Sequence, residues 1–334
     1  LPIYFDYYAT IEIFYFFLVK IFPTQLFLLL NHQLPIMDLV NHLPDRLLFA
    51  VPKKGRLYEK CCNLLSGADI QFRRSNRLDI ALSTNLPIAL IFLPAADIPV
   101  FVGEGNCDLG ITGLDQIKEA EQFDNIEDLL DLKFGSCKLQ IQVPADGEYE
   151  KPEQLVGKKI VSSFTKLSTD YFKQLSDKPT NIRYVGGSVE ASCALGVADA
   201  IVDLVESGET MKAAGLKAIE TILETSAHLI SSKKSKFPEM VNIIVQRLQG
   251  VLAAQEYVLC NYNAPKSIQA KCLTITPGRR AATVSTLDKH SDDEEDWVAI
   301  SSMVNRKEIG NVMDELKKAG ATDILVLEIS NCRV

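Results

Sequence analysis

Short apolar runs recur along most of the chain, and polar stretches with helical spacing separate them. The runs predicted as buried strands are residues 47–52, 88–94, 107–113, 139–144, 158–164 and 197–205. A turn and a helix are predicted at residues 53–65, and a longer amphipathic helix at residues 239–256. Strands that alternate with helices indicate parallel α/β units. We therefore expect an α/β body.

The pattern changes after residue 256. Helical spacing returns only at residues 307–321, where a helix is predicted to end at Gly320. The other segments are predicted as strands, at residues 257–265, 272–278, 282–287, 296–304 and 323–330. This pattern is typical of a small α+β module. An appended module suggests regulation or assembly, and a purely structural role is the alternative.

The first 36 residues differ in composition from the rest of the chain. They are strongly apolar and aromatic, but Glu12, Lys20, Pro23 and Gln25 interrupt them. A membrane-spanning helix needs about 20 mostly apolar residues. A signal peptide needs a basic start and a small-residue cleavage site. We interpret residues 1–36 as a non-native leader or gene-model extension, with a membrane anchor as the alternative.

Composition and charge narrow the possible partners. The 334 residues are enough for two or three domains. The net charge of −8 argues against a nucleic acid held by bulk charge. The eight cysteines form no C-x-x-C pair, which is typical of reduced thiols in a cytoplasmic protein. The four histidines lack metal-ligand spacing, which argues against a structural zinc site.

The last predicted strand of the body leads into a polar turn that has candidate chemistry. The strand ends near Asp203, and the turn reads Ser207-Gly208-Glu209-Thr210. Backbone N–H groups at such a turn bind anions when a helix follows, and a glycine lets the backbone come close to a ligand. Asp203 is a candidate to face a ribose diol or a metal-bound ligand. The alternative is an ordinary strand-to-helix turn in which Ser207 is only a helix cap.

This turn resembles the phosphoribosyl-diphosphate signature of phosphoribosyltransferases, although Leu204 stands in place of the second acidic residue. More segments resemble the ATP phosphoribosyltransferase family, and they occur in the family's order. They are residues 50–57, 72–82, 97–113, 184–216, 275–287 and 297–304. The resemblance covers about residues 45–334. Because it includes residues 257–334, it indicates the long, feedback-regulated form of the family.

The resemblance implies an α/β fold with a two-lobed, periplasmic-binding-protein-like body and an ACT-like α+β regulatory domain. Lobe I is expected at residues 37–137, completed by about residues 217–256. Lobe II is expected at residues 138–216, and the regulatory domain at residues 257–334. From its prolines and glycine, the segment 144–152 is expected to be the hinge.

The resemblance also implies the reaction and the partners. The family joins ATP to phosphoribosyl diphosphate at N1 of adenine and releases diphosphate, with Mg²⁺ as cofactor. Histidine is the expected inhibitor, and a homo-oligomer (dimer or hexamer) the expected assembly, with no nucleic-acid or membrane partner. Substrate phosphates and water are expected to carry most of the Mg²⁺ ligands, so no protein ligand is assigned to the metal.

Candidate site residues follow by matching the family's segments. Asp203 and Arg56 are the candidate catalytic residues. The phosphoribosyl diphosphate site is assigned to Asp203, Ser207, Gly208, Glu209 and Thr210. The ATP site is assigned to Lys53, Gly55, Arg56, Arg77 and Glu190. For each basic residue taken singly, a solvated surface charge is the alternative.

No general base is evident, and positioning with electrostatic stabilisation can supply most of the catalysis. The alternative function is a non-catalytic, two-lobed ligand-binding sensor or an inactive paralogue. Retention of both the basic residues and the phosphate turn argues against it.

Overall fold

The computed structural model describes residues 43–75, 78–120, 123–288 and 295–333. Residues 1–36, interpreted from the sequence as a non-native leader, therefore lie outside the described residues, and so does Arg77. The chain divides into two compact units, Leu1–Arg46 and Leu47–Val334. In the first unit, the described residues 43–46 form a turn.

The second unit contains the helices and strands, which follow one another in four groups. The first group is β1 (Leu47–Pro52), α1 (Arg56–Gly67), β2 (Ile80–Leu82), β3 (Ile88–Leu93), α2 (Ile98–Glu104), β4 (Leu109–Gly113), α3 (Leu114–Glu119) and β5 (Ile126–Asp131). The second is β6 (Cys137–Pro144), β7 (Lys159–Ser162), α4 (Thr165–Leu175), β8 (Asn181–Tyr184), α5 (Ala191–Ala194), β9 (Ala200–Val205), α6 (Glu209–Ala213) and β10 (Leu216–Thr225). The third is β11 (Ala227–Ser232) and α7 (Pro238–Glu256). The fourth is β12 (Tyr257–Pro265), α8 (Gln269–Ile275), β13 (Thr283–Thr286), β14 (Trp297–Asn305), α9 (Ile309–Ala319) and β15 (Thr322–Glu328). Short 3-10 helices occur at Phe123–Asn125, Pro152–Leu155 and Lys266–Ile268.

Lobe I is built on a six-stranded sheet in the order β2-β3-β1-β4-β11-β5. Strand β1 runs parallel to β3 and β4, whereas β2 and β11 run antiparallel to their neighbours. Helices α1 and α7 pack on one face, and α2 packs on the other. Because both faces are covered, β1 is a continuous apolar run rather than an alternating one. The strand predicted at residues 47–52 is confirmed.

Lobe II is built on a five-stranded sheet in the order β10-β6-β9-β7-β8. Strand β10 pairs antiparallel with β6, and Leu216 lies opposite Pro144. Residues 217–225 therefore belong to lobe II, and lobe I resumes at β11 rather than at about residue 217. The reason is that β10 extends the second sheet before the chain crosses back.

The hinge expected at residues 144–152 is wrong. Pro144 is a paired strand residue, and Pro152 begins a 3-10 helix whose Leu155 is buried in the core of lobe II. The chain instead passes between the lobes at residues 132–136 and at Ser226. The two crossings are hydrogen-bonded to each other, because Leu132 N–H donates to the Ala227 carbonyl and Ala227 N–H donates to the Phe134 carbonyl, both at 2.9 Å.

The C-terminal module is a four-stranded antiparallel sheet in the order β13-β14-β12-β15. Helices α8 and α9 cover one face of it. Helix α9 ends at Gly320, whose φ of 106° is left-handed, as the sequence predicts. The strand expected at residues 272–278 is wrong, since residues 269–275 form α8. A short apolar run fits either state, and burial of Cys272 under the sheet favours the helix.

In the described part of the chain, every helix is too short or too polar to cross a bilayer.

Candidate active site

The polar turn after β9 is left-handed at its glycine and exposes most of its polar groups. Gly208 has φ 79°, in the left-handed region that residues with a Cβ avoid. The Glu209 N–H points towards the Ser207 hydroxyl at 3.4 Å, which is a weak local cap. Ser207, Glu209 and Thr210 are exposed. The turn therefore leaves most of its polar groups open to a ligand.

Asp203 lies near the end of β9, and its carboxylate is partly buried. Its Oδ1 accepts a hydrogen bond from Leu204 N–H at 2.8 Å. Burial raises the pKa of Asp203, and the negative charge of Glu190 raises it further, while the Leu204 N–H opposes the rise. The ionised carboxylate thus lacks full solvation, and additional hydroxyl donors or a cation would stabilise it.

A cavity of about 330 Å³ lies where lobe I meets lobe II. It brings together six of the residues that the sequence analysis assigned to substrates: Arg56, Glu190, Asp203, Ser207, Gly208 and Thr210. Arg56 comes from lobe I, and the others come from lobe II. The side chains of the two proposed binding regions therefore share one cleft.

The remaining predicted residues lie elsewhere. Glu209 does not line the cavity, and neither do Lys53 and Gly55. Lys53 directly follows β1, and its N–H donates to the Leu93 carbonyl at 2.9 Å. Gly55 has φ 83° and forms the turn that starts α1. Both residues thus belong to the turn that presents Arg56.

Arg56 is the first residue of α1, and its side chain is 80% exposed. It forms an ion pair with Glu206, which is two residues before Gly208. This pair bridges the two lobes across the cleft. Glu206 is not among the site residues predicted from the sequence, although it is an acidic residue that directly precedes the predicted phosphate turn.

Two further cavity residues were also missed. Gln142 of β6 is buried, and its side-chain amide donates to the Asp203 carbonyl at 3.4 Å. Cys137 lies at the start of β6, and burial with the nearby charges of Asp115 and Glu206 raises its pKa to about 11. Burial therefore favours the protonated thiol of Cys137 at neutral pH.

The donor set of the cleft does not form a metal cage. Within residues 43–75, 78–120, 123–288 and 295–333, no group of three His, Cys, Asp or Glu side chains is arranged to hold a metal ion. Three carboxylate side chains within these ranges line the cavity, those of Glu190, Asp203 and Glu206, and Glu206 is paired with Arg56.

Two family models match the chain. The model described as ATP phosphoribosyltransferase matches residues 94–250. The model described as HisG, C-terminal domain, matches residues 254–331. Together they span more than half of the sequence and meet close to the start of the C-terminal module.

ATP phosphoribosyltransferases from several organisms are similar to this chain over most of its length. The ATP phosphoribosyltransferase of Debaryomyces hansenii is 79% identical over 304 residues, which cover 89% of this chain and 100% of that protein. The enzyme of the same name from Saccharomyces cerevisiae is 60% identical, with the same coverage of both chains. The one from Rhodopirellula baltica is 41% identical over 87% of this chain and 95% of its own length.

Among solved structures, a chain of the ATP phosphoribosyl transferase (HisG:HisZ) complex from Thermotoga maritima has a similar fold. It superposes with a TM-score of 0.54 at 24% identity, and covers 61% of this chain and 96% of that chain.

Proposed function

This chain belongs to the ATP phosphoribosyltransferase family, and on that premise we propose that the cleft between its lobes is the place of reaction. The enzyme carries out the first step of histidine biosynthesis, in which ATP and phosphoribosyl diphosphate give N1-(5-phosphoribosyl)-ATP and diphosphate. N1 of adenine forms a bond to C1′ of the ribose, and the bond from C1′ to the diphosphate oxygen breaks. The observation that carries this placement is one cavity that joins Asp203, the Ser207–Thr210 turn and Arg56.

We assign phosphoribosyl diphosphate to the lobe II side of the cleft. The turn at Gly208 offers backbone N–H groups, and the hydroxyls of Ser207 and Thr210 add donors to a phosphate. Hydrogen bonds to charged groups are each worth about 1.5–3 kcal/mol. Asp203 would accept from the ribose hydroxyls, which compensates the incomplete solvation of its carboxylate.

We assign ATP to the lobe I side, with Lys53, Gly55, Arg56 and Arg77, and to Glu190 across the cleft. Arg56 supports this assignment most directly, because it reaches the cavity and is exposed enough to exchange Glu206 for a polyanion. Arg56 and Asp203 remain the candidate catalytic residues. They would act on the developing charges by position and electrostatics rather than by covalent chemistry.

Asp203 and Glu190 are the residues that would hold a substrate-borne Mg²⁺, directly or through water, and Mg²⁺ would supply positive charge to offset the negative charge of the departing diphosphate.

The experiment that tests this function is an ultraviolet assay for N1-phosphoribosyl-ATP with the purified full chain. ATP, phosphoribosyl diphosphate and Mg²⁺ are supplied, and pyrophosphatase removes the diphosphate. Product formation is the expected result. A folded protein that binds both substrates without turnover would contradict it and favour the ligand-binding sensor.

The ion pair between Arg56 and Glu206 gives a prediction for each residue. Loss of the arginine should weaken catalysis with ATP, whereas loss of the glutamate charge should favour ATP binding. Arg56→Gln should lower kcat/KM for ATP by about 100-fold, because a cleft cation that stabilises a transition state is lost. Glu206→Gln should lower the KM for ATP by about 2- to 5-fold, because an exposed pair competes with a substrate only weakly.

Steady-state kinetics of both variants check this prediction. Glu224→Gln is the matched control, because Glu224 pairs with Lys138 on the surface of lobe II and does not line the cavity. An Arg56→Gln variant as active as the wild type would refute the role of Arg56.

We propose that the C-terminal module binds histidine and transmits feedback inhibition. A second cavity of about 210 Å³ lies on the sheet face opposite α8 and α9. Its lining includes the polar residues Asn261, Asn263, Thr283, Ser285, Ser301 and Asp323. Among the described residues, Asn261 Oδ1 is a buried oxygen without a hydrogen-bond donor. A buried acceptor of this kind favours a ligand with N–H groups, and the Asp323 carboxylate favours an ammonium.

Two threonines of β13 form a matched pair for this proposal. Thr283 lines the cavity, whereas Thr286 is exposed at the end of the same strand and does not. Thr283→Val should raise the histidine concentration for half-inhibition by about 10-fold through loss of a hydrogen bond to a charged ligand. Thr286→Val should leave it unchanged. Equal inhibition of both variants would place histidine elsewhere.

The proposal extends to the assembly and the location of the enzyme. We propose that the enzyme is a homo-oligomer, a dimer or hexamer, and that contacts between its subunits couple histidine binding to the activity of the cleft. We also propose a cytoplasmic location, supported by eight cysteines that are all free thiols.

A further inference from the structure

Arg74 lies between α1 and β2, and its guanidinium is enclosed by two aromatic rings. The Cζ atom is 3.9 Å from the ring centre of Phe92 and 5.4 Å from that of Tyr58. Phe92 is fully buried in β3, and Tyr58 belongs to the first turn of α1. A guanidinium stacks on aromatic faces in a way that an ammonium does not. The rings therefore fix the plane of the Arg74 side chain.

Three nitrogens of the same guanidinium tie two turns together. Nη1 donates to the Lys53 carbonyl at 3.2 Å. Nε donates to the Leu78 carbonyl at 3.4 Å, and Nη2 donates to Asp79 Oδ1 at 3.1 Å. Asp79 Oδ2 also lies 3.5 Å from Lys53 Nζ. Arg74 thus cross-links the turn that precedes α1 to the turn that precedes β2.

The turn held in this way is the one that presents Arg56 to the cleft. The Lys53 carbonyl lies three residues before Arg56, and Tyr58 lies two residues after it. Both flanks of Arg56 therefore contact Arg74, although Arg74 does not line the cavity. Gly55, with φ 83°, lies in the turn between Lys53 and Arg56. Because glycine allows many backbone conformations, this turn depends on contacts such as those of Arg74 to keep one conformation.

We propose that Arg74 is a positioning residue that holds the first turn of α1, and with it Arg56, in the geometry that binds ATP. This inference rests on the proposed function of the cleft. It assigns a kinetic role to a residue that touches neither substrate in the arrangement derived above.

Arg247 provides a matched control within the same lobe. Its side chain is 22% exposed, against 21% for Arg74. It donates to the carbonyls of Ala68 and Asp69, at the opposite end of α1 from Arg56. Each arginine donates to backbone carbonyls beside one end of α1, Arg74 to that of Lys53 before the helix and Arg247 to those of Ala68 and Asp69 after it. Only the loss of Arg74 loosens the end that faces the cleft.

The test compares Arg74→Met, Arg74→Lys and Arg247→Met in the full chain, with each substrate varied in turn. Arg74→Met should lower kcat/KM for ATP by about 10- to 100-fold, because small misplacements of a catalytic group cost that much. The KM for phosphoribosyl diphosphate should stay within about 2-fold, since its turn lies in lobe II. Arg74→Lys should show the same defect, because a lysine lacks the planar fork. Arg247→Met should retain wild-type kinetics.

The double variant Arg56→Gln, Arg74→Met distinguishes positioning from general destabilisation. If Arg74 acts through Arg56, the double variant should be no slower than Arg56→Gln alone. A further full loss in the double variant would overturn the inference, as would an equal loss in Arg247→Met. If Arg74→Met fails to fold, Arg74→Lys carries the same comparisons. A wild type without turnover would refute the proposed function, whereas an active wild type and an unaffected Arg74→Met would refute only this inference.

Discussion

Replacing Asp203 by asparagine is expected to make the enzyme at least about 100-fold slower and the folded protein more stable. The loss of rate follows from the proposed contact of the carboxylate with the ribose hydroxyls, where an amide cannot accept as strongly. The gain in stability follows from the raised pKa of Asp203, since burial and Glu190 both disfavour the charged form. Asparagine keeps an oxygen that can accept from Leu204 N–H and carries no charge.

The pH dependence of that gain has a definite sign. The pKa of Asp203 in the folded state lies above its ordinary value of 3.8. The charged carboxylate therefore lowers the stability of the wild type at neutral pH, and this penalty is relieved as pH falls through the raised pKa. The stability difference between Asp203→Asn and the wild type should shrink on acidification, and the part of it that comes from the charge of Asp203 should be absent below pH 3.8.

Thermal unfolding as a function of pH, together with kcat at saturating substrates, measures both effects. Glu224→Gln is the control, because Glu224 pairs with Lys138 on the surface of lobe II and does not line the cavity. An Asp203→Asn variant with wild-type turnover would remove Asp203 from the proposed mechanism. A lower stability at neutral pH would contradict the expected effect of burial.

A second large effect is expected for Gly208→Val, which should weaken phosphoribosyl diphosphate binding by at least about 100-fold. The φ of Gly208 is 79°, and a β-branched residue in this region costs about 1–3 kcal/mol. The turn should relax to another conformation, which withdraws the N–H groups of the loop from the phosphate. An added Cβ would itself meet its nearest neighbours only at 3.7 Å or more, so backbone conformation rather than crowding is the cause.

Gly215→Val is the matched control for this prediction. Gly215 follows α6, has φ 68° and has open space around its Cβ position, but it does not line the cavity. Both valines should lower the unfolding temperature by similar amounts, while only Gly208→Val should abolish binding in calorimetry with Mg²⁺. If Gly208→Val does not fold, Thr210→Ala carries the test, since it removes a hydroxyl donor without backbone strain. Wild-type affinity in both site variants would contradict the assignment of this turn to the ligand.

Where the apolar pattern was unambiguous, the sequence sufficed to predict individual strands and helices. The run at residues 47–52 is buried on both faces, and the helix at residues 307–321 ends at its glycine. The pattern failed where a segment was short or exposed. Residues 272–278 fit either state in isolation, and the packing of Cys272 under the sheet decided for a helix. Strand β10 was missed because most of its residues are only partly buried and lack a clear alternation.

The same distinction between local pattern and tertiary packing applies to the candidate site. The contiguous turn around Gly208 was visible in the sequence, because its residues are neighbours in the chain and their chemistry is local. That Arg56 meets this turn depends on how the two lobes close on each other, across about 150 residues of chain. The pairing of Arg56 with Glu206 likewise exists only in three dimensions.

The amino-acid order alone thus determined the α/β body, the appended module and the position of the polar turn around Gly208, since each rests on local periodicity or contiguous residues. Only the tertiary structure decided where the chain crosses between the lobes, which charges share the cleft and what Arg74 supports. Those features are contacts between residues distant in sequence, and local pattern contains no information about such distances.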